Sequence, residues 1–205
     1  MTALNSRRLF LTASICALCR PEVAISSQQD AAVKVVDKAV LDINQIINSG
    51  DTERNMLRSF EKVFNAYADV PTIAKYALGR DARTASEVQI NDYTEAFSSY
   101  FATKYGKRFR EFIGGRIEIV NVEKGKKYYM VNTIAHMPAY EPFDVDFLVS
   151  DQKDRPLIFN LIIEGVNMLL AERQEIGALL DRNSGKIDAL ICLLYTSDAA
   201  DEVRR

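Results

Sequence analysis

Phe143-Asp144-Val145-Asp146-Phe147-Leu148-Val149 and, after a short polar connection, Leu157-Ile158-Phe159-Asn160-Leu161-Ile162-Ile163 decide the fold. In the first stretch Phe143, Val145, Phe147 and Val149 alternate with Asp144 and Asp146, the period of a strand with one wet face. The second is apolar at almost every position, so a strand there must bury both faces. Upstream, Gly114-Gly115 marks the end of helical spacing, and residues 116–123 and 127–136 read as two further strands. Lys124-Gly125-Lys126 and Asp151-Gln152-Lys153-Asp154 are short joins, which makes a four-stranded antiparallel meander the expected topology. Helices on one side of such a sheet cover one apolar face. The other face of residues 157–163 needs its own cover, or a ligand.

Before the glycine pair the spacing is helical. Val36, Val40, Ile43 and Ile47 recur on one face that stops at Gly50, and Asp51 is placed to cap a second helix bearing Met56, Leu57, Phe60, Val63, Phe64 and Tyr67. Pro71 suits the first turn of a short third helix that closes at Leu78-Gly79. Thr84-Ala85-Ser86-Glu87 reads as a capping box for a helix carrying Val88, Tyr93, Phe97, Tyr100 and Phe101 towards Gly106. A short helical piece is expected around Phe109 and Phe112. After the sheet, helix is expected from Val166 to about residue 180, with a break at Asn183-Ser184-Gly185 and resumption at Ile187. The class is therefore α+β, with N-terminal helices, a four-stranded antiparallel sheet and C-terminal helices around one core.

The chain has 205 residues, 48% of them apolar and 26% charged, enough for one globular domain with a sizeable core. Its net charge is -2 and it has no long basic run, which disfavours a partner held by its phosphate backbone, so no nucleic acid is expected. One histidine, His136, excludes a multi-histidine metal site, and the absence of cysteine from residues 20–191 excludes a cysteine-rich metal site or a disulfide framework there. Arg7 and Arg8 precede an apolar run too short to span a bilayer, and Ser6-Arg7-Arg8-Leu9-Phe10-Leu11 looks like a twin-arginine export signal. Cleavage is expected near residue 26, at Ala24-Ile25-Ser26. Removing residues 1–26 takes away Arg7, Arg8, Arg20 and Glu22, leaving 23 basic and 27 acidic residues in a mildly acidic mature chain, with the carrier domain expected over residues 27–191. Residues 192–205, beginning Cys192-Leu193-Leu194-Tyr195-Thr196-Ser197-Asp198, read as a non-native tail that resembles a translated sequencing adapter.

Two blocks carry a family resemblance: Leu78-Gly79-Arg80-Asp81-Ala82-Arg83-Thr84-Ala85-Ser86-Glu87, and Ile163-Glu164-Gly165-Val166-Asn167-Met168-Leu169-Leu170-Ala171-Glu172-Arg173. With the intervening aromatic helix and four strands, residues 31–191 resemble the periplasmic phospholipid-shuttle family of the Mla system, also called toluene-tolerance auxiliary proteins. The sequence departs from that pattern at Ala82, where the family usually has an aromatic, at Asn167, where it prefers serine, and at Asn160, where aspartate is usual. The resemblance implies a periplasmic carrier that binds phospholipid acyl chains inside an α+β domain. It also implies exchange of lipid with an outer-membrane lipoprotein complex and with an inner-membrane ABC transporter bearing a lipid-binding ring.

Such cargo sets a physical requirement. A diacyl lipid exposes about 30 methylenes, each costing about 0.8 kcal/mol in water, on the order of 20 kcal/mol in total. A shallow groove does not offset that, so a carrier needs a deep cavity and more apolar side chains than its own core uses. The aromatic helix offers Tyr93, Phe97, Tyr100 and Phe101 as walls; the strands offer Met130, Val145, Phe147, Phe159, Leu161 and Ile163; the following helix offers Val166 and Leu169. Packing of these residues on one another as ordinary core is the alternative. Arg80, Arg83 and Arg173 are candidates for bidentate contact with a phosphate headgroup, against plain positions on a helix surface.

Catalysis finds less support. His136 ends a strand and has Asp144 or Asp146 within reach in a hairpin, but no nucleophile motif such as Gly-x-Ser-x-Gly accompanies it. Asp144 and Asp146 share one strand face, which suits paired carboxylates or calcium, or simply solvation of that face. No phosphate-cradling glycine loop occurs. The expectation is a non-enzymatic carrier without cofactor or metal; the alternative is an α+β domain of the envelope whose apolar cavity holds a small hydrophobic ligand or a substrate.

Overall fold

The computed structural model describes residues 22–107, 112–138, 140–151 and 155–203. The twin-arginine segment, Cys16 and Cys19, Phe109, and residues 152–154 of the second expected hairpin turn lie outside the described residues.

Four helices come first: α1 (Glu22–Ile47), α2 (Glu53–Tyr67), α3 (Val70–Leu78) and α4 (Glu87–Gly106), with a 3-10 turn at Asp81–Arg83 before the last. The long α1 runs across the expected leader boundary at residue 26. Two caps differ from expectation by a residue or two. The side chain of Thr52, not Asp51, accepts the first free amide of α2, from Asn55. Ser86, not Thr84, heads α4: its hydroxyl accepts from the Gln89 amide at 3.2 Å, and the Gln89 side chain accepts from the Ser86 amide at 3.1 Å. Thr84 instead donates its hydroxyl to the Asp81 carbonyl and closes the 3-10 turn.

The sheet has five strands rather than four: β1 (Arg116–Lys124), β2 (Tyr128–Met137), β3 (Tyr140–Ser150), β4 (Leu157–Ile163) and β5 (Val166–Asn167), all antiparallel and in chain order. The extra strand has two residues and pairs Val166 with Ile163 through the tight turn Glu164-Gly165, where both residues take positive φ, 50° and 77°. That conformation matches strand twist, and glycine supplies one of its two positions without strain. The helix expected from Val166 therefore begins two residues later, as α5 (Met168–Arg182), capped by the Asn167 side chain, which accepts from the Leu170 amide. Serine and asparagine both cap well, so either side chain suits this position. After the break at residues 183–185, α6 (Ile187–Val203) continues through the expected tail and buries Leu194 among the helices.

Two large cores hold the chain, with a smaller α1–α2 cluster of Ile47, Met56 and Phe60 beside them. In one, α1 lays Ala32, Val36 and Ala39 on the inner sheet face, against Tyr129, Val131, Val145, Phe147 and Val149. In the other, α3, α4, α5 and α6 pack around Ala74, Tyr93, Phe97, Ile176 and Leu190. The helical layer joins the sheet at β4: the Asp69 amide donates to the Ile158 carbonyl at 2.8 Å, and Ala68 forms a parallel bridge with Ile158. Asn160, buried on β4, ties in α5. Its side-chain oxygen accepts from the Leu161 and Leu169 amides at 2.9 and 3.0 Å, while its amide donates to Asn167.

Candidate functional site

Between the two cores the packing is incomplete, and two adjoining cavities occupy the gap. The larger, about 440 Å³, lies between α1, Phe112 and the inner faces of β1, β3 and β4. Its wall includes Ile43, Ile117, Phe143, Val145 and Ile163, and it reaches the surface beside Asn44, Arg116 and the exposed Val166. The smaller, about 140 Å³, lies deeper, among Phe60, Phe64, Ile73, Ala102, Ile158 and Leu169. Ile43, Phe101, Tyr105, Phe147, Leu161 and Met168 line both. An apolar cavity of about 150 Å³ suffices for a benzene-sized guest, so the larger lobe has room for a chain.

Local sequence explains why the gap stays open. Phe101 is held away from the sheet by a stack of rings: it lies on Phe64 at 4.4 Å and 11° and against Tyr105 at 4.4 Å. On β4 a register shift against β3 falls between Leu148 and Val149, opposite Ile158 and Asn160, leaving Phe159 as the extra residue, tilted towards Tyr128. Leu161 and Ile163 keep their alternation and face inward opposite Phe147 and Val145.

The walls carry little charge. Among the described lining residues, Glu172 is the acidic one, and its side chain is 1% exposed. Its Oε1 accepts from Lys104 Nζ at 2.6 Å and from the Tyr105 hydroxyl, while Oε2 has no hydrogen-bond partner among the described residues. Lys104 also donates to Glu175, and Tyr100 donates its hydroxyl to Glu175, so a clamp of charged and phenolic groups joins α4 to α5 behind the deep lobe. Burial raises the Tyr93 phenol above its ordinary pKa, with the Glu172 charge adding to the effect. Tyr100 rises through burial and through its bond to Glu175.

The structure places the expected wall residues in three environments. Phe101, Val145, Phe147, Phe159, Leu161, Ile163, Val166 and Leu169 line one or both lobes. Tyr93 and Phe97 are fully buried in the helical core and touch neither lobe; Tyr100 packs beside them. Met130 stands on the opposite face of β2 from Tyr129 and Val131, so it points away from the gap. Of the candidate arginines none lines a lobe. Arg80 and Arg83 are exposed around the 3-10 turn, and Arg173 stacks on the Tyr76 ring at 5.0 Å. The arginine at the rim is Arg116, whose Nη1 donates to Glu118 Oε2 at 3.1 Å. Tyr105 ends the aromatic helix expected to form a wall, whereas nothing in the sequence singles out Phe60, Phe64 or Met168. Phe60 and Phe64 sit on an amphipathic helix face, and helical spacing does not distinguish a face that fills a core from one that lines a gap.

His136 lies on the outer sheet face, its Nε2 3.0 Å from Glu118 Oε2, and Asp146 accepts from Asn132 at 3.0 Å. No Ser, Thr, Cys, His, Lys or Asp is among the described residues lining either lobe. Among the described residues no group of three or more His, Cys, Asp or Glu is placed to hold a metal, and no helix is long and apolar enough to cross a membrane.

The sequence profile of the family described as MlaC protein matches residues 34–195. Among solved structures, a phospholipid-binding protein from Ralstonia solanacearum, determined in complex with a phospholipid, is similar in fold. It is 16% identical, with a TM-score of 0.70, and the match covers 82% of this chain and 97% of that one. No curated protein matches the sequence.

Proposed function

Because the chain belongs to the MlaC protein family, we propose that it is a lipid carrier that takes phospholipid acyl chains into the two-lobed cavity and leaves the headgroup at the rim beside Asn44, Arg116 and Val166. The observation that carries this reading is the gap itself: a protein of this size normally packs its interior to crystal-like density, yet here a large apolar volume opens where α1 and the helical layer meet β3 and β4. The wall can bury methylenes, each contributing about 0.8 kcal/mol, and among its described residues no serine, threonine, cysteine, histidine or lysine stands beside them. Binding rather than turnover is the chemistry such a surface supports. The solved relative, with its bound phospholipid, supports the same cargo.

The carrier acts in the periplasm, reached through the twin-arginine leader. It returns lipid between the two envelope membranes by docking on an outer-membrane lipoprotein complex and on an inner-membrane ABC transporter with a lipid-binding ring. Docking matters because a pocket that competes with a bilayer must hold lipid about as well as the bilayer does, and an occupied closed cavity gives up its cargo only when something opens it. A mildly acidic mature chain also gains little from anionic lipid surfaces.

The test is uptake. Lipid-free protein is incubated with phospholipid vesicles, separated from them and assayed for bound lipid. The native protein should carry phospholipid away, and Leu161→Asp, which places a carboxylate on the wall shared by both lobes, should carry much less while remaining folded. Equal uptake by the two proteins, or release of cleaved lipid products, would contradict the carrier reading.

A further inference from the structure

The two lobes are unequal, and the wall between them is built from residues of very different stiffness. Ile43, Phe101, Tyr105, Phe147, Leu161 and Met168 come from α1, α4, β3, β4 and α5 and border both spaces. Five are held. Phe101 is stacked on Phe64, the Tyr105 hydroxyl is bonded to Glu172, Phe147 and Leu161 face each other across the β3–β4 ladder, and Ile43 is β-branched and packed against the α1–α2 cluster. Met168 is the exception. It is unbranched, with several rotatable bonds and a polarisable thioether, and it sits at the first position of α5, two residues from the exposed Val166 of the rim. The wall of the deep lobe includes Ile73, Ala102, Ile158 and Glu172, all buried. The Lys104–Glu172 ion pair fixes that wall between two helices, so the wall does not recede to admit a longer guest.

We infer that the deep lobe is the subsite for the terminal segment of an acyl chain, and that Met168 is the side chain that sets how long a chain the carrier accepts. This rests on the carrier reading and narrows it. A chain entering at the rim fills the larger lobe first and then passes Met168. The methylenes beyond that point are buried only as far as the fixed wall, and any further ones stay in water or force the chain to fold back. Affinity should therefore climb with chain length and then stop climbing.

The experiment measures binding of a series of lysophosphatidylcholines, decanoyl to stearoyl, each below its micelle-forming concentration. The headgroup is constant, so only the chain varies. For the native protein the dissociation constant should fall about fourfold per added methylene until the deep lobe is full, and then level off. Met168→Ala should move the levelling point to longer chains, Met168→Phe to shorter ones, and Met168→Leu, which nearly conserves volume, should leave it in place. Chains too short to reach Met168 should bind all four proteins alike. If Met168→Phe fails to fold, Met168→Ala alone decides. A levelling point common to native and Met168→Ala, or no levelling in the native series, overturns the inference and leaves the carrier intact. Failure of the native protein to bind any member of the series overturns both.

Discussion

Glu172 is the residue that most needs an explanation. A carboxylate 1% exposed beside an apolar cavity is costly unless its charge is met, and here Lys104 and the Tyr105 hydroxyl meet one oxygen only. The two ends of the pair are not equivalent. Lys104 is partly exposed and has Glu175 as a second partner, so it keeps a counter-charge when Glu172 is neutralised. Among the described residues Glu172 has no second cation. Glu172→Gln should therefore cost about 1 kcal/mol, whereas Lys104→Met, which strands a buried carboxylate, should cost about 3 kcal/mol or more. Urea denaturation measures both, and equal losses would contradict this account. On the outer sheet face, Arg116 and then His136 hold the Glu118 carboxyl below its ordinary pKa by hydrogen bonding. A lowered folded-state pKa gives stability that is present above the unfolded value and lost as pH falls through the folded one. The stability difference between the native protein and Glu118→Gln should thus shrink on acidification below the usual carboxylate range; a difference that grows would reverse the sign.

Elements here are set by short-range chemistry, and that is where the sequence was most legible. The helix faces of Val36, Ile47, Met56 and Phe60 are buried as their spacing implies, and β4 spans the residues that its apolar run marks out. The errors are local and have physical causes. A two-residue strand is too short to show a period, so β5 was hidden inside an apparent helix start, and only the turn chemistry of Glu164-Gly165 announces it. The cap of α4 was displaced because Thr84 and Ser86 are both good caps, and Gln89 settles the choice by returning the bond to Ser86. Ser86→Ala should then cost about 1 kcal/mol in thermal or chemical unfolding. Thr84→Ala, which removes only a hydroxyl from the 3-10 turn, should cost clearly less. The opposite order would return the cap to Thr84.

At the scale of the molecule, two cores meet without filling the space between them, and the function proposed for the chain lives in that mismatch. This was the least legible part. An aromatic at helical spacing looks the same whether it packs in a core, as Phe97 does, or lines a gap, as Phe101 does four residues later. Strand alternation does assign faces, which is why Val145, Phe147, Leu161 and Ile163 share one wall, but it does not say which face is covered, and Met130 stands on the other. The headgroup candidates are no easier to place from sequence: Arg80 and Arg83 flank the 3-10 turn and Arg173 stacks on Tyr76, while the rim is built from α1 and the sheet. The proposed function requires that the gap hold lipid. Organic extraction of the protein purified from its native envelope, followed by lipid mass spectrometry, tests it directly. Diacyl phospholipid is expected in near stoichiometric amount; protein that is folded and empty after purification from lipid-rich envelope would contradict a lipid-filled gap.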